Sequence, residues 1–252
     1  MQVINMNRMG LTEVDLKIAL RQPGCPICRA CREVETCYLR NLLRENVNDM
    51  GTRVRISESL GFCSRHAWQL LHMEIKDWVA PLGSSIIYED LVRQVLHKIQ
   101  NVISGMTGSM RESRWKRVIG RARTWLMGSK PNKDIRFTPQ KQCRICESSQ
   151  ESAFHAGSAL VRMLSFTEYQ DMYNLSDGVC LSHLRDIFSD NNAGRGLLFL
   201  LTDTCERLKV LKADLSEFKR KQNWQYRDEE VTERERAAAQ RAVMFFSGPD
   251  FD

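Results

Sequence analysis

Proline and glycine are scarce in this 252-residue sequence, which contains six and 14 of them. Because both residues interrupt helices, their scarcity favours long helical segments. Charged residues make up 27% of the chain and hydrophobic residues 42%, a balance that is typical of folded proteins and not of disordered ones. The composition therefore predicts a mainly helical protein with a sizeable hydrophobic core.

The sequence also lacks a long apolar run. Its longest, Leu197 to Leu201, is far shorter than the roughly 20 residues that a helix needs to cross a bilayer. The segment from Met1 to Gly10 has one basic residue, Arg8, and no apolar stretch of the kind found in secretory signals. We therefore expect a cytoplasmic protein without membrane contact.

Common catalytic signatures are missing too. The sequence contains no GxSxG motif, no P-loop, no HExxH motif and no dinucleotide-binding fingerprint. Each of these motifs brings specific groups to a reacting centre, so their absence gives no support to the corresponding enzyme classes. We expect a protein without catalytic activity.

Nine cysteines stand out against these absences, and six of them follow a repeated pattern. The first CxxC, Cys25–Cys28, is followed 35 residues later by Cys63 in the run Gly61–His66. The second, Cys143–Cys146, is followed 34 residues later by Cys180 in the run Gly178–His183. A shift of 118 positions superimposes the CxxC motifs, and a shift of 117 superimposes the glycine, cysteine and histidine of the later runs. The pattern indicates an internal duplication with one single-residue indel.

Three thiolates and one imidazole form a typical ligand set for tetrahedral zinc. Taking each repeat as one site, we predict two zinc ions, the first bound by Cys25, Cys28, Cys63 and His66 and the second by Cys143, Cys146, Cys180 and His183. Four protein ligands close a site to substrate, which favours a structural role over a catalytic one. A nucleophilic pair of Cys63 and His66 is the enzymatic alternative. The recurrence of that pair beside a CxxC favours metal ligands.

An iron–sulfur cluster is the alternative to zinc. Cys25, Cys28 and Cys31 form a CxxCxxC run like part of a ferredoxin motif. The second repeat has Ser149 at the position of Cys31, so the extra thiol is not part of the shared pattern, and we favour zinc. Cys31, Cys37 and Cys205 have no counterpart in the other repeat, and we expect them to behave as small hydrophobic residues.

The apolar spacing between the ligands is helical, as in Leu39, Leu42, Leu43 and Val47, and a second stripe runs from Ile87 to Val102. We predict an all-α fold of two pseudo-repeated helical modules, each stapled by a Cys₃His metal site, plus a long C-terminal helix. The predicted divisions are 11–105 for the first repeat and its following helix, 106–141 for a linker, 142–201 for the second repeat and 202–252 for the C-terminal helix and tail.

The segment between the repeats is markedly basic. From Arg111 to Arg144 there are eleven lysines and arginines against two acidic residues, with Trp115, Trp125 and Phe137 interleaved. Basic residues with aromatic neighbours are typical of surfaces that bind nucleic acid or an acidic partner. The candidate contacts are Arg114, Lys116, Arg117, Arg121 and Arg123. A solvated helix face whose tryptophans pack on the core would explain the same composition.

Several runs resemble a family of uncharacterised bacterial proteins. The resemblance rests on Gly24–Arg29, Glu45–Asp49, Gly61–Trp68, Leu215–Phe218 and Arg227–Glu230, and it extends over nearly the whole chain. The family is a domain of unknown function, some of whose members carry a transporter substrate-binding label. The resemblance implies that the cysteine and histidine pairs are a shared feature, and it implies no activity.

Together these patterns predict a zinc-stabilised helical adaptor with a binding or regulatory role and an unidentified protein partner. One alternative is a nucleic-acid-binding accessory protein that uses the basic segment 111–144. A second alternative is an iron–sulfur or thiol redox sensor, suggested by the additional thiols.

Overall fold

The computed structural model describes residues 11–78, 80–116, 138–189, 194–226 and 228–250, and over these ranges the chain is helical without any strand. The all-α prediction is confirmed for this part of the chain. The helices are α1 (Leu11–Ala19), α2 (Pro26–Asn41), α3 (Met50–Glu58), α4 (Ser64–Trp78), α5 (Leu82–Lys116), α6 (Arg144–Met163), α7 (Thr167–Asn174), α8 (Leu181–Ser189), α9 (Arg195–Lys221), α10 (Glu233–Arg236) and α11 (Ala238–Ser247). A π-helical turn, Leu42–Asn46, follows α2.

The helices occur in the same order twice. A helix that begins at a CxxC, a short helix, a helix that carries CxxH in its first turn and a long helix follow one another as α2 to α5 and again as α6 to α9. None of the described helices is both long and apolar enough to span a bilayer. Of the basic candidates, Arg117, Arg121 and Arg123 lie outside the described residues, as do the side chains of Arg114 and Lys116.

The chain forms two compact units. Unit 1 consists of Met1–Cys37 and Ser148–Asp252, and unit 2 of Tyr38–Glu147. The chain passes from one unit to the other within α2 and again within α6. The two units reflect contacts between residues, whereas the four ranges predicted from the sequence rest on motifs. The division into units does not test those four ranges, which stay a prediction.

Unit 1 has a core of aliphatic side chains around one buried tyrosine. Its large, fully buried members come from α1, α2, α6, the residue directly after α6, α7 and α9: Leu16, Ile27, Leu160, Leu164, Tyr173 and Leu200. Cys25 and Cys180 belong to the same cluster. These two metal-ligand candidates are therefore part of the core.

Unit 2 has a smaller core in which Leu39, Leu70 and Ile145 are fully buried. The predicted apolar stripe of α5 contributes Ile87 and Leu91 to this core, but Ile99 is 40% exposed. With 35 residues α5 is about 52 Å long, whereas the 15 residues of α4 span about 22 Å. Because α4 can cover less than half of α5, only the beginning of the stripe is core.

The C-terminal region contains several helices where the periodicity predicted mostly one, from Thr202 to Phe246. Helix α9 ends at Lys221, and Thr232 and Glu235 form a capping box that starts α10. Lys221 forms an ion pair with Glu235 at 2.8 Å, and both side chains are about nine-tenths buried. The break between α9 and α10 is therefore stabilised by the capping box and by a shielded ion pair. Neither interaction produces a periodic hydrophobic pattern, so the periodicity could not predict the break.

The start of α5 is capped by a buried carboxylate. Glu74 of α4 is 4% exposed and accepts hydrogen bonds from the backbone N–H groups of Gly83 and Ser84, the second at 2.9 Å. A carboxylate at this position satisfies two N–H groups and interacts favourably with the helix dipole. Glu74 thereby links α4, which carries the CxxH motif of unit 2, to the start of α5.

Replacing this carboxylate tests its contribution. We expect Glu74→Gln to lower the free energy of unfolding by about 1–3 kcal/mol, because it removes the charge and places an amide N–H₂ against a backbone donor. Glu89→Gln is the matched control, since Glu89 is exposed and pairs with Arg93 on the surface of α5. Urea unfolding of the metal-loaded proteins measures both. Equal losses for the two variants would contradict the capping role.

Candidate metal centres

The structure brings the eight predicted ligands together in two groups, but not in the predicted combination. The first group is Cys25, Cys28, Cys180 and His183, and the second is Cys63, His66, Cys143 and Cys146. Each CxxC therefore meets the CxxH of the other repeat. The prediction that Cys25 and Cys28 share an ion with Cys63 and His66, and Cys143 and Cys146 one with Cys180 and His183, was wrong.

The division of the chain into units accounts for this exchange. Cys25 and Cys28 lie in unit 1, as do Cys180 and His183 at the start of α8. The other CxxH and the other CxxC both lie in unit 2. Each group is therefore formed within one unit.

In the first group, Cys28 Sγ lies 3.7 Å from Cys180 Sγ. The Nδ1 atom of His183 lies 3.3 Å from both of these sulfurs and 3.6 Å from Cys25 Sγ. Cys25 and Cys180 are buried, and the other two residues are partly buried. All four ligand atoms thus surround one point at the edge of the unit 1 core.

The second group has nearly the same geometry. Cys146 Sγ lies 3.6 Å from Cys63 Sγ, and Nδ1 of His66 lies 3.2, 3.4 and 3.6 Å from the sulfurs of Cys63, Cys146 and Cys143. Within each group the four ligand atoms are all within 4.8 Å of one another. In both groups the histidine presents Nδ1 to the thiols.

These distances fit a single tetrahedral ion. With metal–sulfur bonds of about 2.3 Å and metal–nitrogen bonds of about 2.0 Å, ligand sulfurs stand roughly 3.7 Å apart and sulfur and nitrogen roughly 3.5 Å apart. All nine cysteines are free, so none of these thiols is used in a disulfide. Each group could therefore hold one metal ion.

Protonation in the second group shows why a cation suits it. Burial and a hydrogen bond with Cys63 raise the pKa of Cys146 to about 12. Burial would also raise the pKa of Cys143, but hydrogen bonds from His66 and from backbone N–H groups lower it to about 6. The partly buried thiol of Cys146 thus keeps its proton at neutral pH. A divalent ion would displace that proton, and its binding would weaken as the pH falls.

The first group is more strongly coupled. Hydrogen bonds with Cys180 and Cys25, together with burial, raise the pKa of Cys28, whereas hydrogen bonds from Cys25 and Cys28 lower that of Cys180. Burial lowers the pKa of His183, but hydrogen bonds to Cys180, Cys25 and Cys31 raise it to about 12. A thiolate next to an imidazolium is the charge pair that a metal ion replaces by binding both groups.

The sequence can now be placed among known proteins. The chain belongs to a family of unknown function, DUF6062, whose model matches residues 11–251. No curated protein and no solved structure matches the chain. The family match confirms the resemblance found in the sequence, and DUF6062 carries no described activity.

A serine holds each CxxH loop of this DUF6062 protein. Ser59 Oγ donates to the carbonyl of Gly61 at 2.7 Å, and Ser176 Oγ donates to the carbonyl of Tyr173 at 2.7 Å and accepts from the N–H of Gly178 at 3.2 Å. Both glycines have positive φ, 97° and 77°, in the left-handed region that favours glycine. The sequence prediction missed the serines. They obey the same shift of 117 positions, so SxGxCxxH is the fuller motif.

The two CxxC motifs also share a buried isoleucine, which the sequence prediction missed. Ile27 and Ile145, each directly before the second cysteine, are fully buried. They anchor the first turns of α2 and α6 in the cores of unit 1 and unit 2. The cysteines are thereby held at helix N-termini, where the backbone N–H groups favour the thiolate form.

A further contact joins the two loops of each group. In unit 1, the N–H of Gly24 donates to Asp177 Oδ2 at 2.6 Å. In unit 2, the N–H of Gln140 donates to the carbonyl of Glu58 at 2.8 Å, and Lys141 forms an ion pair with the Glu58 carboxylate at 2.8 Å. Each pair of ligand loops is therefore fixed by polar contacts outside the ligand group.

Arg207 of α9 supports the loop of Cys180. Its guanidinium donates to the carbonyls of Ser176 and Tyr173 at 2.7 and 3.1 Å and pairs with Asp203 at 2.5 Å. The carbonyl of Tyr173 also accepts from the N–H and the hydroxyl of Ser176, so Arg207 and Ser176 together fix the end of α7. No arginine stands at the equivalent position of the first repeat, so the repeat pattern did not indicate a role for Arg207.

The remaining thiols lie outside both groups. Cys31 donates a hydrogen bond to the carbonyl of Ser149 at 3.4 Å, which is the residue at its repeat-equivalent position. Cys37 and Cys205 are exposed. His155 also belongs to neither group, and its ring lies edge-on against Phe154.

Two double variants distinguish the observed grouping from the predicted one. Each removes two thiols: Cys25→Ser/Cys180→Ser disables one group, whereas Cys25→Ser/Cys63→Ser damages both. We expect the first variant to keep one metal equivalent that withstands a competing chelator and the second to keep none. Elemental analysis of anaerobically purified protein gives the metal count.

Cys205→Ser is the control and should keep both equivalents, because that thiol belongs to neither group. The opposite result, with one resistant equivalent in Cys25→Ser/Cys63→Ser and none in Cys25→Ser/Cys180→Ser, would restore the predicted grouping.

Proposed function

We propose that this protein is a zinc-stabilised helical adaptor with a binding or regulatory role and without catalytic activity. The observation that carries this proposal is that each group supplies four protein ligands around one point. A catalytic zinc keeps an open position for water or substrate, whereas a structural zinc is closed by four protein ligands. Here an ion would have no free position for chemistry.

Zinc is the metal that the ligand set favours. Three thiolates and an imidazole at tetrahedral distances are typical of structural zinc. An iron–sulfur cluster divides its four protein ligands among two or more irons, so ligands of different irons stand farther apart than the 4.8 Å that contains all four ligand atoms here. The thiol of Cys31 hydrogen-bonds with His183 but is not one of the four residues of the group, so we do not count it as a ligand. We also infer an internal duplication and a cytoplasmic location, since thiols in such number need a reducing compartment.

Helix α4 offers a surface for a protein partner. One face of this helix is buried through His66, Leu70 and Glu74. Trp68 lies on the other face and is 57% exposed, and Trp78, at the end of the helix, is 39% exposed. Exposed tryptophans are enriched at the centres of protein interfaces, because they bury a large area at low entropic cost. The second metal group would fix the start of the helix that carries this face.

The basic segment 111–144 supports nucleic-acid binding as the second candidate. Two of its cations, Lys141 and Arg144, already pair with Glu58 and Glu147 in unit 2. Ion-paired residues contribute less to a phosphate-binding surface than free ones. For this reason we favour a protein partner over nucleic acid.

The nature of the metal tests the proposal directly. We expect colourless protein with two equivalents of zinc, and a cobalt-substituted form whose visible spectrum is that of tetrahedral S₃N coordination. Added azide should leave the spectrum unchanged, because four protein ligands fill the coordination sphere. Iron with acid-labile sulfide would contradict zinc. A spectral change with azide would reveal an open position and contradict a purely structural role.

The partner surface is tested by affinity capture from the native cell extract with quantitative mass spectrometry. We expect Trp68→Ala/Trp78→Ala to keep its metal and its fold but to lose a protein that the wild type captures. Phe188→Ala is the control, since Phe188 is 61% exposed on α8, the equivalent helix of unit 1.

Two outcomes would contradict the protein-partner proposal. One is equal capture by wild type and the α4 variant. The other is capture that disappears on nuclease treatment and on reversal of the five basic candidates to glutamate, which would favour the nucleic-acid alternative.

A further inference from the structure

Unit 1 contains a cavity of about 360 Å³ next to the first metal-ligand group. It lies between the loop that carries Cys180, helix α9 and the C-terminal helices α10 and α11. Its volume is within the range of small-molecule sites, which begins near 300 Å³. Neither the metal centres nor the proposed partner surface on α4 accounts for it.

The cavity follows one face of α9 and has two different ends. Arg207 lies at the end near the metal group, because it holds the loop that precedes Cys180. Asp214 follows seven residues later, about 10 Å farther along the helix axis. At that end Asp214 accepts hydrogen bonds from Arg234 and Arg241, at 2.9 and 2.7 Å. Both arginines line the cavity.

The arginine end carries an excess of positive charge. Arg234 and Arg241 both donate to one oxygen atom, Oδ2 of Asp214, so two guanidinium groups share one carboxylate. Both guanidinium groups keep exposed surface, 59% of the side chain for Arg234 and 32% for Arg241. An acidic group of a ligand would balance the charge and accept charge-assisted hydrogen bonds from them.

The walls between the two ends are apolar. Val179, Leu208 and Leu211 line the cavity from the metal-site loop and α9, and Met244 and Phe245 line it from α11. Apolar walls with a few converging polar groups are typical of ligand sites. Methionine and phenylalanine side chains adapt well to flexible apolar ligands.

From these features we propose that the cavity binds a small organic acid with an apolar body. Its carboxylate occupies the end formed by Arg234 and Arg241, and its apolar part lies along Leu208, Leu211 and Phe245. The helices α10 and α11 contribute both the charge and part of the wall, so the C-terminal region is a ligand-binding element as well as a cap on unit 1.

Binding of octanoate to the full-length, metal-loaded protein tests this site, with octanamide as the neutral analogue of equal size. We expect isothermal titration calorimetry to show saturable 1:1 binding of octanoate and at least about tenfold weaker binding of octanamide, because only the acid forms charge-assisted hydrogen bonds. Arg241→Gln should weaken octanoate binding by about the same factor.

Two further variants separate binding from folding. Leu208→Trp should fill the cavity and abolish octanoate binding while metal content and circular dichroism stay unchanged. Arg185→Gln should bind octanoate like the wild type, since Arg185 is exposed on α8 and does not line the cavity. Three results would overturn the proposal. The first is no detectable octanoate binding at concentrations up to about 1 mM, the range of weak ligands. The others are equal affinity for octanoate and octanamide, and wild-type affinity for octanoate in both Arg241→Gln and Leu208→Trp.

Discussion

The convergence of four ligands from distant parts of the chain is the constraint on which each unit depends. Cys28 and Cys180 are separated by 152 positions, yet their sulfurs lie 3.7 Å apart, and Cys63 and Cys146 are separated by 83 positions with sulfurs 3.6 Å apart. An unfolded chain rarely brings such residues together. An ion at either group would therefore bind the folded unit far better than the unfolded chain, and its binding free energy would stabilise the fold.

The ligands are also part of the packing. Cys25 and Cys180 are 4% and 3% exposed within the unit 1 core, and Cys143 is 7% exposed within that of unit 2. The thiols of each group hydrogen-bond to one another. Their positions are fixed by the buried isoleucines of the CxxC motifs and by the serines of the CxxH loops, which also fix the ends of the helices. The ligand groups, the core packing and the helix termini are consequently coupled in each unit, and an ion in either group would stabilise all three together. In unit 1 this coupling extends through Arg207 to α9 and so to the wall of the cavity.

Much of this architecture could be predicted from the sequence, because helical periodicity and ligand spacing are local signals. The eight residues that form the two groups were all among the predicted ligands, and the helices that carry them were predicted as helical. The grouping of the ligands could not be predicted, since it depends on packing between remote segments. Chain entropy even favours the wrong answer: closing the 35-residue loop from Cys28 to Cys63 costs about 1.3 kcal/mol less than closing the 152-residue loop. Burying a single leucine contributes about 1.5–3 kcal/mol, and Leu16, Leu160, Leu164 and Leu200 are fully buried in unit 1. Packing therefore outweighs the local preference.

Arg207 and the cavity could not be predicted from the sequence. A single side chain that contacts a remote segment leaves no periodic pattern along the chain.

The central claim is that each ion joins a CxxC of one repeat to the CxxH of the other. Substitution with ¹¹³Cd followed by proton–cadmium correlation spectroscopy reads the ligands of each ion directly. The observed grouping predicts one cadmium resonance coupled to the β-protons of Cys25, Cys28 and Cys180 and to the ring of His183, and a second coupled to Cys63, Cys143, Cys146 and His66. A resonance coupled to both Cys25 and Cys63 would contradict it.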